Sequence, residues 1–565
     1  MKQILLFSIL FFLSQSIFAQ FSGNQTPTYP KLVQFYDSLA KKNLVELYNM
    51  GQSDYGLPIY LCILNGQKDS LKTFTSIKTR GSIFINNGIH PGEPDGINAC
   101  GKLTLDFINH KLKMDAVTTI SFILCYNVDG MMQRSSSSRA NQNGPEEYGF
   151  RGNAQNLDLN RDFIKMDSEN AFTFAKIFQA LQPDVFIDTH VSNGADYQYT
   201  LTLIHSLKER LTPEIRSLTY NHFVPDLEKA MKKHKIDLAP YVESVGETPD
   251  SGIEAFNDLP RYAMGYASLF PCISITTETH MLKPFEDRVE ATYLYLIEVV
   301  LWSKDNLKAL KNTKKAAFDN LNNKTSFAYQ YTRTEEKDSI LFCGYEAGYK
   351  KSEVTGLDRL YYDRTKPYTK KIPYYNVYKA QDSAKIPQFY VVGSQCRDVI
   401  SRLKQNNIQM RTLTQDSLVD LTFYRVRDYK NGTKPYEGHF LHSGIKVEEQ
   451  DGKIQLKKGD VLINTNQKSK LFICSVLEPE AEDSYFAWNF FDSYIQEKEY
   501  FSDYVFEDLA VEILNQSTEL RSLFEEKKKN DSKFAASQWD QLYFIYQNSK
   551  YFEPSFMRLP VFKVY

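Results

Sequence analysis

The 565-residue chain is predicted to be an α/β protein: a mixed, largely parallel sheet with flanking helices, followed by a β-rich C-terminal domain. Three observations predict this. Between residues 81 and 301, short apolar or β-branched runs alternate with segments whose apolar residues recur every three to four positions. From about residue 327 the texture changes to short Tyr, Val and Ile runs broken by Gly, Asp and Lys-Pro. The composition, 42% hydrophobic and 24% charged, is that of a globular chain, and the length suits two or three domains.

The first element is not expected to be part of the fold. Lys2, the apolar run Ile4–Leu13 and a small residue at Ala19 have the three-part order of a secretory signal peptide over residues 1–19. The apolar run is too short to cross a bilayer, and no later segment is long and apolar enough to do so. The mature protein is therefore expected to be exported, to a periplasm or the extracellular space. Residues 31–50 read as an amphipathic helix. The strand candidates are Ser82–Asn86, Thr119–Tyr126, Val185–Thr189 and Cys272–Thr277. The helix candidates are Asp95–Asn109, with Ile97, Cys100, Leu103 and Phe107 on one stripe, then Ser168–Leu181, Glu214–His234 and Arg288–Ser303. The Lys/Asn-rich stretch Lys311–Ser326 reads as a linker. It separates a catalytic-type domain over 20–315 from a β-rich domain over 327–565, which closes with helices near 502–528 and 538–546.

Composition excludes some functions. Lys+Arg is 67 and Asp+Glu is 69, a net charge of -2, so no basic excess exists to grip a nucleic acid. Seven Cys leave at least one thiol free, and no CxxC pair suggests a ribbon or redox motif. Cys100, Cys125 and Cys272 sit in apolar runs and read as small core residues. No G-x-G-x-x-G follows a strand, and there is no G-x-S-x-G elbow.

The polar residues cluster after the four predicted strands. They are Asn87-Gly88-Ile89-His90-Pro91-Gly92-Glu93, then Asn127-Val128-Asp129-Gly130, then Asp188-Thr189-His190, then Thr276-Thr277-Glu278-Thr279-His280. In open α/β sheets, sites form beyond the carboxyl ends of strands. His90, Glu93 and His190 make a two-imidazole, one-carboxylate set suited to one Zn²⁺ per chain with an open coordination position. Glu278 is placed to act as a base beside it. His280 is a rival ligand to His190, because alternation puts it on the face of Glu278. Glu278 has a rival reading as the ion-pair partner of Lys283 or Arg261, and Glu93 as a helix cap.

At this point the chain resembles the zinc metallocarboxypeptidases related to pancreatic carboxypeptidase A. The resemblance spans residues 55–300. Its first motif, His-x-x-Glu, is His90–Glu93, and its third zinc ligand, a His at a strand end, matches His190. In Asp158-Leu159-Asn160-Arg161-Asp162-Phe163, Asn160 and Arg161 match the pair that holds a substrate's C-terminal carboxylate. Asp158 matches the carboxylate that orients the first zinc-binding His. In Phe150-Arg151-Gly152-Asn153, Arg151 matches the oxyanion-stabilising Arg, with Arg134 as its alternative. Arg134 and Arg139 otherwise read as surface cations. Glu278 matches the general base. Tyr262 and Tyr266 compete as the Tyr that caps the substrate.

The resemblance implies a carboxypeptidase-like fold and zinc-dependent hydrolysis of C-terminal peptide bonds in a peptide or protein with a free C-terminus. A related zinc amidohydrolase, acting on acyl-amino acids or cell-wall peptides, is the alternative. His439 and His442 have no acidic partner at ligand spacing and read as ordinary surface or core residues.

Overall fold

The computed structural model describes residue 21 and residues 23–565, so the expected signal peptide lies outside the described residues. The first half is built on an eight-stranded sheet. Its strands are β1 (Glu46–Gln52), β2 (Pro58–Leu64), β3 (Gly81–Asn87), β4 (Thr118–Ile123), β5 (Val185–Ser192), β6 (Leu201–His205), β7 (Leu238–Pro240) and β10 (Ile273–His280), in the order β1-β2-β4-β3-β5-β10-β6-β7. The four central strands β4, β3, β5 and β10 run parallel. The β1–β2 hairpin and β6 pair antiparallel on either side. This is the mixed, largely parallel sheet that the alternation predicts. Central strands covered on both faces must be apolar on both, and β3, β4 and β5 are buried along their whole length.

Helices cover both faces. On one, helix Glu169–Leu181 lays Phe174 and Phe178 against Phe84 of β3 and Phe186 of β5, which are register partners. On the other, helices Asp95–Ile108 and Phe285–Asp305 pack together and against the sheet. Arg288, buried in this layer, is neutralised by Asp95 at 2.8 Å and by backbone carbonyls. Since the helices occupy the faces, the carboxyl ends of β3, β5 and β10 are left open as a cleft.

The second half is β-rich, as predicted. Strands β11 (Ser326–Arg333) and β14 (Tyr378–Lys385) form one ribbon. The long hairpin β12 (Asp338–Lys351) and β13 (Asp358–Tyr375) joins two short strands of the first half, β8 (Glu243–Ser244) and β9 (Ile253–Glu254), in a four-stranded sheet. A six-stranded sheet follows in the order β16-β19-β15-β20-β17-β18, from β15 (Phe389–Val392), β16 (Met410–Thr412), β17 (Ser417–Asn431), β18 (His442–Leu456), β19 (Val461–Asn464) and β20 (Arg558–Val564). Helices Asp503–Gln516, Thr518–Asn530 and Gln538–Gln547 enclose a small core of their own. The main apolar core runs without a break from the first-half sheet into Tyr390, Phe472, Tyr485 and Trp488 of the second half.

Three expectations are corrected. The helix predicted over 31–50 ends at Ala40, and Glu46–Gln52 is strand β1. Lys41-Lys42-Asn43 break the helix, with Asn43 at φ 57°, and pairing with β2 outweighs the helical spacing that follows. The stretch Lys311–Ser326 is not a linker: helix Leu307–Asn322 occupies most of it, burying Leu310, Ala317 and Leu321, and Lys311 and Lys314 reach Asp184. Helices Arg397–Gln405 and Lys470–Leu477, which the sequence reading does not name, interrupt the β-rich region. All seven cysteines are free, and Cys100, Cys125 and Cys272 are buried as predicted.

Candidate active site

The loop that leaves β3 carries His90 and Glu93 to the mouth of the sheet, immediately before helix Asp95–Ile108. Gly88 turns the chain there with φ 68°, and a Cβ would sit 2.8 Å from Cys125 Sγ. His190 stands near the end of β5. The three side chains are buried, and their ligand atoms lie within 4.8 Å of one another. Each imidazole is fixed at Nε2 by a carboxylate: His90 by Asp158 Oδ1 at 2.9 Å, His190 by Asp188 Oδ2 at 2.8 Å. Both therefore turn Nδ1 toward Glu93, His90 at 3.3 Å from Oε1 and His190 at 2.9 Å from Oε2. Two inward Nδ1 atoms with carboxylates behind them and one glutamate oxygen between them fit a zinc ion. Glu93 does not cap the helix through its own side chain. Its Oε2 accepts from the Val191 N–H at 2.9 Å, which places it across the mouth of the site.

Electrostatics follow from this packing. Burial alone would raise the Glu93 carboxyl, but Arg139 and His90 hold it well below the ordinary range. Burial alone would lower His190, but Asp188 and Glu93 hold it well above its usual value. Burial would likewise raise Asp158, and His90, Arg151 and Arg161 pull it far down.

Glu278, on β10, is the register partner of His190 across the parallel pairing and lines the same cleft. The competing ion pairs do not form. Lys283 pairs with Asp196, and Arg261 with Asp483. No hydrogen bond holds the Glu278 carboxyl among the described residues. Burial pushes it up to about 8, opposed by His190 and reinforced by Glu93 and Asp188. His280 is no ligand: its Nε2 faces the Ala195 carbonyl at 2.9 Å, its Nδ1 accepts the Leu282 N–H, and its ring packs on Tyr197.

The cleft has a volume of about 530 Å³. Arg151, Asn160 and Arg161 form one wall. Arg151 donates to Asp158 Oδ2 from Nε (3.0 Å) and Nη2 (2.8 Å). Asn160 Oδ1 accepts the Ala263 N–H at 3.1 Å, leaving its amide N–H₂ available. Arg161 lies 4.7 Å over the Tyr262 ring and donates from Nη1 to the Asn160 carbonyl; its Nε and Nη2 have no partner among the described residues. Tyr241, Phe256, Met264 and Thr276 also line the cleft.

Two expectations are corrected. Tyr266 does not reach the cleft. It is buried beneath it, donating to Asn406 Oδ1 at 2.6 Å and packed on Phe178 and Phe270, so of the two tyrosines only Tyr262 lines the site. Arg139 is not a surface cation. It donates to Glu93 Oε1 at 2.7 Å and to the Val191 carbonyl at 3.3 Å, and lines the cleft. Arg134, by contrast, ties loop carbonyls of Thr26, Pro27 and Glu147. The sequence offers no signal for Arg139, which reaches the site from an irregular loop. Asp188 was legible, because alternation places it on the His190 face two residues away.

Buried His, Glu and His with an unpaired carboxylate at the next strand end, on a mixed α/β sheet, define a zinc-dependent hydrolase. Residues 32–217 match the zinc carboxypeptidase family profile, a span that includes His90, Glu93, Asp158, Asn160, Arg161 and His190 and stops short of Tyr262 and Glu278. Carboxypeptidase 2 of Trichophyton equinum is 22% identical over 487 residues, covering 82% of this chain and 84% of its own. The Trichophyton rubrum carboxypeptidase 2 gives the same identity and coverage. Among solved structures, the carboxypeptidase A of Helicoverpa armigera aligns at a TM-score of 0.37 and 14% identity, over 52% of this chain and 75% of that one. A metallo-carboxypeptidase from Burkholderia cenocepacia aligns at 0.35 and 16%, over 48% and 68%. Residues 32–217 are thus similar to zinc carboxypeptidases, a family that uses zinc, and His90, Glu93 and His190 are the group of described residues that could hold it.

Proposed function

We propose that the protein removes C-terminal residues from peptides that carry a free carboxylate. The observation that carries this reading is the cleft itself. The metal-binding group, the unpaired Glu278 and the Asn160–Arg161 wall face one volume large enough for a terminal residue.

His90, Glu93 and His190 would hold the zinc, which would supply Lewis acidity toward a carbonyl and toward water. With zinc bound, Asp158 and Asp188 would accept the Nε2 protons and leave Nδ1 of each imidazole free for the metal. Asn160 and Arg161 bind the substrate's terminal carboxylate, the guanidinium as a two-pronged donor. That anchors the last peptide bond and makes the enzyme an exopeptidase. Tyr262 stacks on Arg161, stiffens the clamp and closes over the terminal residue. Glu278 accepts a proton from the attacking water and returns it to the leaving amine. Its raised affinity for a proton suits a group that must hold one between the two steps. Arg151 and Arg139 both present N–H groups to the cleft, where negative charge develops on the carbonyl oxygen.

The carboxypeptidase names of the curated relatives weigh for peptide substrates over acyl-amino acids or cell-wall peptides. Residues 20–315 make the catalytic unit and 327–565 a second, β-rich unit. The signal-like residues 1–19 support export to a periplasm or beyond, and no helix among the described residues is long and apolar enough to cross a membrane.

The test is metal analysis of the purified protein paired with amino-acid release from a mixed peptide pool. About one zinc per chain is expected, with release of terminal residues that stops on chelation and returns with zinc. Zinc without release from free C-termini would turn the reading toward the amidohydrolase alternative. Failure to bind zinc would end it.

A further inference from the structure

The segments that carry the carboxylate clamp are held from the other half of the chain. Arg261, the residue before Tyr262, is fixed twice by Asp483: its backbone N–H donates to Oδ2 at 2.7 Å and its Nε to Oδ1 at 2.8 Å. Asp483 is itself buried and also accepts the indole N–H of Trp488 at 3.2 Å. The Trp488 ring lies 5.1 Å from the Arg261 guanidinium. The 261–263 segment is laced in turn to the clamp. The Ala263 N–H meets Asn160 Oδ1, the Phe163 N–H meets the Arg261 carbonyl at 3.4 Å, and the Tyr262 ring carries Arg161.

A second brace comes from the turn between β17 and β18. Glu437 and Gly438, both with left-handed φ, form its two-residue tip between the bridged pair Tyr436 and His439. Glu437 Oε2 accepts the Asp158 N–H at 2.7 Å, two residues before Asn160. His439 Nε2 meets Asp167 Oδ2 at 2.7 Å, and Arg402 donates to the carbonyls of Lys165 and Met166 and to Asp167 Oδ1. None of these second-half residues lines the cleft, so they act through Arg161, Asn160 and Tyr262.

We propose that Asp483 and Glu437 are positioning residues for the substrate-carboxylate clamp, which makes the C-terminal half a working part of the active site. The proposal rests on the carboxypeptidase reading above. A clamp on an irregular loop is only as precise as its supports, and small misplacement of a positioning group costs binding and rate.

The experiment uses the full-length zinc protein and benzoylglycyl dipeptides ending in Phe, Leu, Arg or Glu. Asp483→Asn keeps the shape and an acceptor but removes the charge that fixes Arg261. Trp488→Phe keeps an aromatic ring, though a smaller one, and removes the N–H to Asp483. Each is expected to raise KM by about 5- to 20-fold, with kcat within about threefold and zinc content unchanged. Glu437→Ala is expected to act in the same direction, and Glu437→Gln, whose amide oxygen still accepts the Asp158 N–H, to restore wild-type KM. In an Arg161→Ala background, Asp483→Asn should change KM by less than about twofold, because the two act through one clamp. If Arg161→Ala raises KM but Asp483→Asn, Trp488→Phe and Glu437→Ala leave it unchanged, the proposal is overturned and the clamp stands. Equal loss of kcat and active fraction at unchanged KM would assign these residues a purely structural role and overturn it as well. If Arg161→Ala itself leaves KM unchanged, the clamp assignment falls and the proposal with it.

Discussion

Glu278 is the residue on which the chemistry turns, and its environment explains why. A carboxyl with no cation or donor holding it is costly in a folded protein unless the position has a use. Lys283 and Arg261, the ion-pair partners the sequence offers for it, are engaged with Asp196 and Asp483. Glu278→Gln removes the proton acceptor while keeping size and polarity, so kcat is expected to fall by about 10²- to 10⁴-fold. Zinc content should not change, since Glu278 is outside the His90–Glu93–His190 set. Steady-state kinetics with metal analysis checks both, and residual activity near wild type would remove Glu278 from the base role. At this scale the sequence was informative where function dictates residue type at a strand end. His90, Glu93, His190 and Glu278 line one cleft at the carboxyl ends of β3, β5 and β10, and Asp158 joins them through His90. It was uninformative where an irregular loop decides. Arg139 enters the site and Tyr266 leaves it because of loop and helix geometry that no short-range pattern records.

Secondary-structure elements set how closely these residues can approach. Helix Asp95–Ile108 begins one residue after the Glu93–Pro94 step, and its first turn presses on the sheet. A Cβ on Gly96 would lie 2.1 Å from Thr189 Oγ1 and 2.4 Å from Asn87 Oδ1, two atoms that are hydrogen-bonded to each other. Gly96→Ala is therefore expected to cost about 1–3 kcal/mol, the range for overpacking a tight core. It should also loosen zinc binding, because the helix start carries Glu93. Thermal unfolding with zinc titration checks this, and unchanged stability would show that the contact relaxes freely.

The loop before Tyr262 supplies a pH-dependent element. Asp258 is fully buried and accepts the Leu207 N–H at 3.0 Å, while its Oδ2 has no partner. Burial pushes its carboxyl up to about 6, with Arg210 and the Leu207 N–H opposing. The folded protein thus keeps a proton that the unfolded chain has released. Stability from this group is full below about pH 4, falls as pH rises to about 6, and is absent above. Asp258→Asn should therefore gain on wild type by on the order of 2–3 kcal/mol between pH 4.5 and 8 in urea unfolding. A pH-independent difference would refute the assignment. Elements were legible where periodicity is long, as in the helices near 95–108, 169–181 and 285–305. They were not legible at Lys311–Ser326, whose Lys-rich composition hides a helix that buries only three side chains.

The whole molecule is less divided than its composition suggests. The change in texture after residue 326 is real, and the second half has a two-stranded ribbon and a six-stranded sheet of its own. Yet one apolar core crosses between the halves, with Phe270 of the first stacked on Phe472 of the second at 5.8 Å. Buried polar contacts cross as well: Tyr266 to Asn406, Arg261 to Asp483, and Arg402 to the 165–167 segment. Strand β9 of the first half also pairs with β13 of the second. No stretch of sequence reports such contacts, because each partner reads as an ordinary core residue of its own half. Separating the halves would expose apolar surface at roughly 25 cal/mol per Å² and strand buried charges such as Asp483 without their partners. The halves should therefore unfold together. Calorimetry of the zinc protein is expected to give one transition over the two large sheets, coincident with loss of activity. The small bundle near 503–547, which has its own core, is free to melt earlier. A fragment ending near residue 325 should be insoluble or molten, because its face toward Phe472 and Trp488 is built as an interior. Two well-separated transitions, or a folded and fully active fragment, would show instead that the clamp is set by the first half alone.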